Sequence, residues 1–577
     1  MELIISARIR VVMMRIWPAA IVLTLMAGAT IGGPASAATA GVVTGTDSGN
    51  TNACIDTPLT ITFGSAPALG TTGSITVHNA DGSVAETIDL ADPASFTETV
   101  GGATDEAGNP HYFTYYPVII TGDTATIYLH HELAYGRTYY VTADPTVFTA
   151  PGSTGVSDPH AWRFTTTRRH PGRNARIITV DSGGRGDFCT VQGAINAVPV
   201  NNTVRRLITV ADGTYTELDW VAPGKPLITV RGQSRSGTVI QYANNNTLNS
   251  ANTTDVCARQ AIPVHDDFNC WRSNFSVEAD DFTLENLTLV NTTPFGGSQA
   301  EAFRGNADRI TLNRVNLLSY QDTIRLQGLG YVTNSYIQGD VDFTWGVGTV
   351  FWTHGELKSM HAGYVTQIRN SEGQNGYVFY DDTLTHASGV ADGSVYLARI
   401  DPTVYPYSQA VYIDTTMDSH INPAGWLLNN ADCATATHVQ FWEYGSVTPQ
   451  GQPIDTSQRL ACSRQLTAAQ AAQWSDPAFV LGGWVPATVN ATTGGATVDV
   501  NWSAPAGHSA ADVIALCPAH ARRCAAARRV ATTASIGTVT FPLPPGPGPY
   551  QVRYYAHGQA TAVSAPFSSS SADNQRT

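Results

Sequence analysis

Short apolar stretches recur between about residues 175 and 486, and their spacing is the feature that most restricts the fold. Four of them begin 19–28 residues apart, namely Phe282–Asn286, Ile310–Arg314, Tyr331–Ser335 and Val350–Trp352. This interval is about the length of one coil in a right-handed parallel β-helix, where each coil buries its face on its neighbours. Asn at or near the end of several stretches suits the turns between strands. The spacing therefore predicts a solenoid.

The segments on both sides of the solenoid show strand alternation without the coil period. We predict an all-β chain in which residues 169–486 form a right-handed parallel β-helix. An Ig-like β-sandwich is predicted for residues 38–168, where alternating stretches are separated by Gly-rich turns, and an Ig- or fibronectin-like β-sandwich for residues 487–567. The polar tail, residues 568–577, is predicted to be disordered. Two short helices are expected near the ends of the solenoid, Thr190–Ala197 and Thr467–Gln473.

The N-terminus has the pattern of a secretory signal peptide. Three arginines within residues 8–15 precede a mostly apolar run, residues 16–32, and Ala35-Ser36-Ala37 matches a small-residue cleavage site. A membrane anchor is the alternative, but the run is short and Pro18 interrupts it. We predict a signal peptide over residues 1–37, secretion, and no membrane attachment after cleavage, because no later stretch is long and apolar enough to span a bilayer.

Charge and cysteine content restrict the partners and the chemistry. The formal net charge is −14, so nucleic acid is not expected as a partner, and a strongly polyanionic substrate would be repelled at long range. Eight cysteines in a secreted chain predict disulfides. The pairs favoured by sequence are Cys257–Cys270, Cys433–Cys462 and Cys517–Cys524, with Cys54–Cys189 left to bridge two domains. Cys-x-x-Cys does not occur, so no zinc site, other metal or cofactor is predicted.

Two aspartates, Asp322 and Asp342, lie one predicted coil apart. If the chain coils here, their carboxyl groups stack at a strand separation of ~4.8 Å. Two carboxyl groups that close cannot both ionise freely, so their pKa values split. One can then attack as a nucleophile while the other carries a proton.

Eight sequence strings occur in the order found in one enzyme family. They are Gly186-Asp187-Phe188 with Thr190-Val191-Gln192, Gly213–Glu217, Gln299–Arg304, Gln321-Asp322-Thr323, Gly339–Gly346, Tyr396–Arg399, Asn422–Trp426 and Gly483–Pro486. Residues 175–486 thereby resemble the pectin methylesterases, a carbohydrate esterase family built on a right-handed parallel β-helix. The flanking segments lie outside the resemblance.

The resemblance implies a role for each of five residues. Asp342 would attack the ester carbonyl to form an acyl-enzyme, and Asp322 would act as general acid and base. Gln299 and Gln321, also about one coil apart, would donate to the oxyanion. Arg399 would pair with Asp342 and keep it ionised by lowering its pKa, while the nearby negative charge would raise the pKa of Asp322.

The sugar-binding residues depart from the family pattern. The family usually has Leu-Gly-Arg-Pro-Trp where this chain has Leu397 to Asp401, so the cleft tryptophan is absent. Tyr405 or Tyr407 could replace its surface. Trp345 and Phe343 could offer apolar surface to sugar rings, although one of them could instead fill the solenoid core.

These features lead to one hypothesis and two alternatives. The hypothesis is a secreted, monomeric pectin methylesterase that hydrolyses the methyl esters of homogalacturonan without a cofactor. One alternative is an esterase or thioesterase that acts on a different acyl substrate with the same carboxyl groups. The other is a non-catalytic polysaccharide-binding β-helix protein. The role of the two Ig-like domains stays open.

Overall fold

The computed structural model describes residues 44–45, 49–104, 110–150, 154–172, 174–249, 272–519, 521, 524, 526–546 and 548–568. The predicted signal peptide, the Cys257–Cys270 pair and nearly all of the predicted tail lie outside the described residues. None of the helices within these ranges has the length and apolar content needed to cross a bilayer.

The N-terminal strands form small antiparallel sheets around one apolar core. Alternation creates this core: in Thr138–Ala143, Tyr139, Val141 and Ala143 point inward. The strands are β1 (Thr44–Gly45), β2 (Leu59–Thr62), β3 (Ala68–Leu69), β4 (Ser74–Asn79), β5 (Val84–Asp89), β6 (Glu98–Thr104), β7 (Pro110–Tyr115), β8 (Val118–Thr121), β9 (Thr124–Ile127), β10 (Thr138–Ala143), β11 (Phe148–Thr149) and β12 (Arg163–Thr165).

The central segment is a parallel β-helix, as predicted. Its strands are β13 (Ile177–Val180), β14 (Arg206–Val210), β15 (Gly213–Tyr215), β16 (Asp219–Val221), β17 (Ile228–Gly232), β18 (Thr238–Tyr242), β19 (Ser273–Val277), β20 (Thr283–Glu285), β21 (Thr288–Asn291), β22 (Glu301–Gly305), β23 (Ile310–Asn313), β24 (Asn316–Leu318), β25 (Ile324–Leu326), β26 (Leu329–Thr333), β27 (Tyr336–Gly346), β28 (Thr349–Thr353), β29 (Glu356–Ile368), β30 (Tyr377–Tyr380), β31 (Thr383–His386), β32 (Val395–Ile400), β33 (Gln409–Ile413), β34 (Thr416–Met417), β35 (Trp426–Leu428), β36 (Gln440–Tyr444) and β37 (Arg464–Gln465).

Each coil contributes strands to three faces of the solenoid. The first face is an 11-stranded parallel sheet in the order β13-β14-β17-β20-β23-β26-β28-β30-β33-β36-β37. The other two faces join into one sheet, because the long strands β27 and β29 continue around the corner between them. Buried apolar side chains from all three faces fill a single core.

The end of each strand in the middle of the first sheet is marked by a left-handed residue. Six such residues have φ between 51° and 58°, namely Asn286, Arg314, Asn334, His354, Asp381 and Asp414. Asn and Asp adopt this conformation more readily than most residues, which accounts for the Asn residues at several stretch ends. The repeated turn keeps the coils in register while the rest of each coil varies in length.

The C-terminal strands form a two-sheet sandwich. A three-stranded sheet, β38-β39-β42, packs on a four-stranded sheet, β41-β40-β43-β44, and all strand pairs are antiparallel. The strands are β38 (Thr488–Gly494), β39 (Thr497–Ser503), β40 (Val513–Pro518), β41 (Ala526–Arg529), β42 (Ile536–Pro542), β43 (Tyr550–Ala556) and β44 (Gln559–Val563).

Among the described residues, three short helices lie at the ends of the solenoid: α1 (Val191–Asn196), α2 (Ala468–Trp474) and α3 (Pro477–Val480). The first two confirm the predicted helices. Thr190 caps α1 by accepting the N–H of Gly193, and Thr467 forms a capping box with Gln470 at the start of α2.

Three predicted disulfides are present: Cys54–Cys189, Cys433–Cys462 and Cys517–Cys524. The first joins the N-terminal sandwich to the opening coil. Next to it, the carboxylate of Asp56 accepts the backbone N–H groups of Cys189 and Thr190. A covalent bond and a hydrogen-bonded carboxylate therefore fix the N-terminal sandwich to the solenoid.

Candidate active site

A cavity of about 330 Å³ opens on the face of the solenoid that carries β22, β25, the end of β27, the end of β29 and β32. Six residues that the sequence proposed for the site line it together: Gln299, Gln321, Asp322, Asp342, Trp345 and Arg399. Four further residues complete the lining: Asn246, Arg272, Gln367 and Arg369.

The register between neighbouring coils brings the two aspartates together. Ile324 pairs with Thr344 across β25 and β27, and each aspartate lies two residues before its member of that pair. The N–H of Asp322 donates to the carbonyl oxygen of Val341 at 3.0 Å. Both aspartates are left-handed, with φ of 65° and 52°. The stacking expected from the twenty-residue spacing is therefore present in the backbone.

Arg399 and Gln367 hold the carboxyl group of Asp342. Arg399 donates from Nε to Oδ1 at 2.9 Å and from Nη2 to Oδ2 at 2.6 Å, a bidentate pair. Gln367 donates from Nε2 to Oδ2 at 2.9 Å. Oδ1 therefore accepts one of these hydrogen bonds and Oδ2 accepts two.

The pKa of Asp342 differs from the sequence expectation. Burial raises this pKa, and the opposing effect of Arg399 does not bring it back to its ordinary value. The sequence predicted the ion pair but not the burial, so the expectation of a lowered pKa is wrong. Arg399 still favours the charged form of Asp342 against the cost of burial.

Asp322 is held by a different arginine. Nη2 of Arg272 donates to Oδ2 of Asp322 at 2.7 Å, and both side chains are buried. Burial raises the pKa of Asp322 to about 7, Arg272 lowers it, and the neighbouring Asp342 and Glu301 raise it. Asp322 thus holds a proton up to near-neutral pH, as expected from the neighbouring negative charge.

A buried ion cluster beneath the cavity orients Arg272. Its Nε donates to Glu301 at 3.2 Å, and Glu301 accepts two further bonds of 2.6 Å from Arg304. Burial acts to raise the pKa of Glu301, but Arg304 and Arg272 outweigh it and the pKa is lowered. Glu301 therefore stays ionised and positions Arg272 toward Asp322.

Trp345 forms the floor of the cavity between cationic groups. The guanidinium carbons of Arg325, Arg369 and Arg272 lie 4.6, 5.0 and 5.3 Å from the centre of its ring. Arg369 also lies 4.9 Å from the ring of Tyr405, which is half-buried beside the site. Tyr405 thus borders the site through Arg369.

Phe343 does not reach the cavity. Its side chain is fully buried in the solenoid core, so the expectation that it contacts substrate is wrong. The register of β27 against β29 shifts between Val341 and Thr344, around the left-handed Asp342. Of the two aromatic residues, Phe343 fills the core and Trp345 faces the cavity.

An aromatic cluster lies beside the strands that line the cavity. Phe295, which is 57% exposed, stacks on His361 with ring centres 3.6 Å apart, and Tyr320 lies 5.6 Å from Phe295. Tyr320 directly precedes Gln321 in the chain, so the cluster adjoins the cavity. It offers exposed apolar surface next to the site.

Sequence reasoning missed Arg272, Gln367, Arg369 and Asn246. Gln367 pairs in register with Trp345, one coil further along, so extending the coil count past Asp342 would have indicated it. Arg369 donates from Nε and Nη2 to Oε1 of Gln367 at 2.9 and 2.6 Å. Arg272 lies 50 positions from Asp322, and no string in the sequence connects the two.

Comparisons with known proteins show which families the chain resembles. The family model described as pectinesterase matches residues 177–483, and the model of a bacterial Ig-like domain matches residues 42–166. Pectinesterase 31 of Arabidopsis thaliana is 32% identical over 308 residues, which covers 53% of this chain and 92% of that protein. Probable pectinesterase 49 of the same plant is 28% identical over 53% of this chain and 80% of its own length. The solved pectin methylesterase PemA from Erwinia chrysanthemi is 25% identical, with a TM-score of 0.44 and coverage of 54% of this chain and 98% of that one.

Proposed function

The chain belongs to the pectinesterase family and is a carboxylic ester hydrolase, and we propose that it hydrolyses the methyl esters of homogalacturonan to pectate and methanol. One observation carries the proposal. A carboxyl group paired with Arg399 and a second one with a pKa of about 7 line the same cavity, together with two glutamine side chains.

The proposed reaction begins with Asp342 as nucleophile. An oxygen of Asp342 attacks the ester carbonyl carbon, and Gln299 and Gln321 donate to the oxygen on which negative charge develops. Asp322 gives its proton to the methoxide oxygen as the C–O bond breaks, so methanol leaves and an acyl-enzyme anhydride remains. Asp322, now ionised, takes a proton from water, which attacks the anhydride and releases Asp342 with the product carboxylate.

The hydrogen bonds to Asp342 support one of its two oxygens as the attacking atom. Oδ2 accepts bonds from Arg399 and Gln367, whereas Oδ1 accepts one bond from Arg399. Each bond withdraws electron density and occupies a lone pair, so we assign Oδ1 as the nucleophilic oxygen.

The lining charge favours an acidic polymer in spite of the acidic chain. Arg272, Arg369 and Arg399 face the cavity against the two aspartates. Long-range repulsion from a net charge of −14 is screened over about 10 Å at ordinary salt, whereas these guanidinium groups act at contact distance. We propose that Trp345, Tyr405 and the exposed ring of Phe295 supply the apolar surface for sugar rings in place of the absent cleft tryptophan.

Secretion, the domain boundaries and a monomeric state belong to the same proposal. Disulfides such as Cys54–Cys189 form in oxidising compartments and support an extracellular location. The boundaries at 168/169 and 486/487 and the cleavage after Ala37 rest on the sequence.

The test is release of methanol from highly methylated pectin by the purified full chain, measured beside acetylated sugars and acyl thioesters. We expect methanol release to dominate. Faster turnover of an acetyl ester or a thioester would indicate another acyl substrate. Ile400 and Asp401, which replace the Pro-Trp of the family pattern, would then be the first residues to test for this change of specificity. Binding of pectin without release of methanol would indicate a polysaccharide-binding protein.

A further inference from the structure

A second cleft lies between the solenoid and the C-terminal sandwich. Its volume is about 580 Å³, which is larger than the catalytic cavity. The first sheet of the solenoid forms one wall near the N-terminal coils, and residues of β43 and the segment after β44 form the other. It therefore faces a different side of the solenoid from the two aspartates.

Four arginines line this cleft against two carboxylates. The arginines are Arg169, Arg185, Arg231 and Arg314, and the carboxylates are Asp181 and Glu285. A third carboxylate, Asp187, pairs with Arg169 from outside the lining. In a chain of net charge −14, this is a local excess of positive charge.

The ion pairs in the cleft leave donors for a ligand. Arg231 uses Nε and Nη2 to contact Glu285 at 2.6 Å, and Arg185 uses the same two nitrogens with Asp181 at 2.8 and 3.5 Å. A guanidinium group has five N–H donors, so each retains donors beyond these pairs. The side chains of Arg169 and Arg185 are 73% and 80% exposed, and exposed ion pairs of this kind are weak.

Neutral polar groups alternate with the charged ones. Oδ1 of Asn313 is buried and has no hydrogen-bond partner among the described residues, although Asn313 lines the cleft. Gln233 and Gln551 add amides from the two walls. A buried acceptor without a donor costs free energy unless a ligand or water supplies one, so Asn313 indicates a hydroxyl or N–H donor in the cleft.

The ligand class follows from these groups. Guanidinium groups recognise carboxylates, whereas Asp181, Glu285 and the amide oxygens accept from hydroxyls. None of the described lining residues is aromatic, so the cleft lacks the stacking surface that a neutral sugar would use. The volume lies within the usual range for ligand sites and is far larger than a single small anion requires.

We propose that the cleft binds a carboxylate-bearing oligosaccharide, that is, a de-esterified stretch of polyuronate. The inference rests on the proposed function, because that reaction creates such carboxylates on the polymer. The C-terminal sandwich then has a role as one wall of a product-binding site. Attachment at a second site raises the effective concentration of the remaining esters near the cavity.

The test is calorimetric binding of a de-esterified galacturonate oligomer to the full chain and three variants. Arg231→Gln removes a cleft guanidinium, and Gln551→Glu places a negative charge on the other wall with almost no change in shape. Arg309→Gln is the matched control, because Arg309 is also ion-paired but lies outside the cleft. We expect the two cleft variants to weaken binding about tenfold or more, and the control to bind like wild type.

Several outcomes would overturn the proposal. Equal binding by all four proteins, or by a fully methylated oligomer, would do so. If inorganic phosphate binds as tightly as the oligomer, the cleft is a general anion site and the proposal that it recognises a saccharide is overturned. If Arg231→Gln fails to fold, the binding measured for Gln551→Glu tests the proposal instead. Methanol release is measured in parallel: its absence contradicts the proposed function, whereas Arg231-dependent oligomer binding still supports the cleft.

Discussion

Among the buried carboxyl groups in the described part of the solenoid, two neighbouring pairs differ in their counter-charges. Asp322 and Asp342 are one coil apart and contact Arg272 and Arg399. Glu217 and Asp219 are two residues apart, near the junction with the N-terminal sandwich. Glu217 accepts the backbone N–H groups of Val191 and Gln192 at the start of α1, at 3.0 and 3.1 Å.

The second pair contacts no arginine or lysine within the described residues. Burial raises the pKa of both Glu217 and Asp219. The charge and hydrogen bond of Glu217 raise the pKa of Asp219 further, whereas the hydrogen bond of Asp219 lowers the pKa of Glu217. Such a pair keeps at least one proton and remains a structural feature. The comparison shows that burial raises the pKa of a carboxyl group, so that it holds a proton to higher pH. An arginine beside each carboxyl group can then set the two pKa values separately, as acid–base catalysis requires.

The largest expected effect is on activity, which should fall after substitution in the Asp322–Asp342 pair but not in the Glu217–Asp219 pair. Asp342→Asn and Asp322→Asn should each lower methanol release roughly 10³-fold or more. The first removes the proposed nucleophile, and the second removes the group that would donate a proton to the leaving methanol. Asp219→Asn makes the same chemical change in the other pair and should stay within about twofold of wild type. Substantial activity in Asp342→Asn would break the comparison.

The next largest effect on activity is expected for the two amides that line the cavity. Gln321→Ala and Gln299→Ala should lower kcat roughly 10²–10³-fold, since each loses a donor to the developing oxyanion. Gln192→Ala removes an amide near Glu217 that bonds Asn196 and Trp220 and should leave kcat unchanged. A rise in KM with an unchanged kcat would instead assign the two cavity amides to substrate binding.

The arginines should control the pH profile of kcat/KM. Arg272 lowers the pKa of Asp322, so Arg272→Gln should raise that pKa and move the alkaline limb to higher pH by about one unit. Arg399 lowers the pKa of Asp342, so Arg399→Gln should move the acidic limb to higher pH. Arg309→Gln, distant from both, should leave the profile in place. If the alkaline limb of the kcat/KM profile does not move in Arg272→Gln, the assignment of Asp322 as the general acid is contradicted.

The smallest effect concerns stability at the second pair. The folded pKa of Asp219 is raised above its unfolded value of about 3.9, so the folded state binds more protons and stability falls as pH rises above about 4. Asp219→Asn avoids this loss and should raise Tm by about 2–4 °C at pH 8. The difference should close near pH 4. An equal gap at both pH values would show that the substitution acts through packing rather than ionisation.

The sequence predicted the features that depend on spacing along the chain. The interval between Asp322 and Asp342 equals the register between their coils, so counting residues was enough to stack them. Three disulfide pairs and the short helices that start near Thr190 and Thr467 were also predicted from the sequence. Such features need no knowledge of which side chains the fold buries.

The features that escaped prediction depend on burial and on contacts between distant coils. Phe343 and Trp345 are two residues apart and would share a face in a regular strand, but the register shift between Val341 and Thr344 lies before Trp345 and interrupts the alternation. Arg272 precedes β19 and reaches Asp322 two coils further along, across the coil of β22. The pKa of Asp342 depends on the balance between burial, which raises it, and Arg399, which lowers it. The degree of burial cannot be derived from the sequence alone.

The disulfide between Cys54 and Cys189 also affects how the protein tolerates proteolytic damage. It spans 135 positions and joins the N-terminal sandwich to the opening coil of the solenoid. A protease that cuts the chain once between these cysteines therefore leaves one covalent molecule. The two fragments separate on a denaturing gel only after a reducing agent is added, so a single cut need not detach the sandwich from the solenoid.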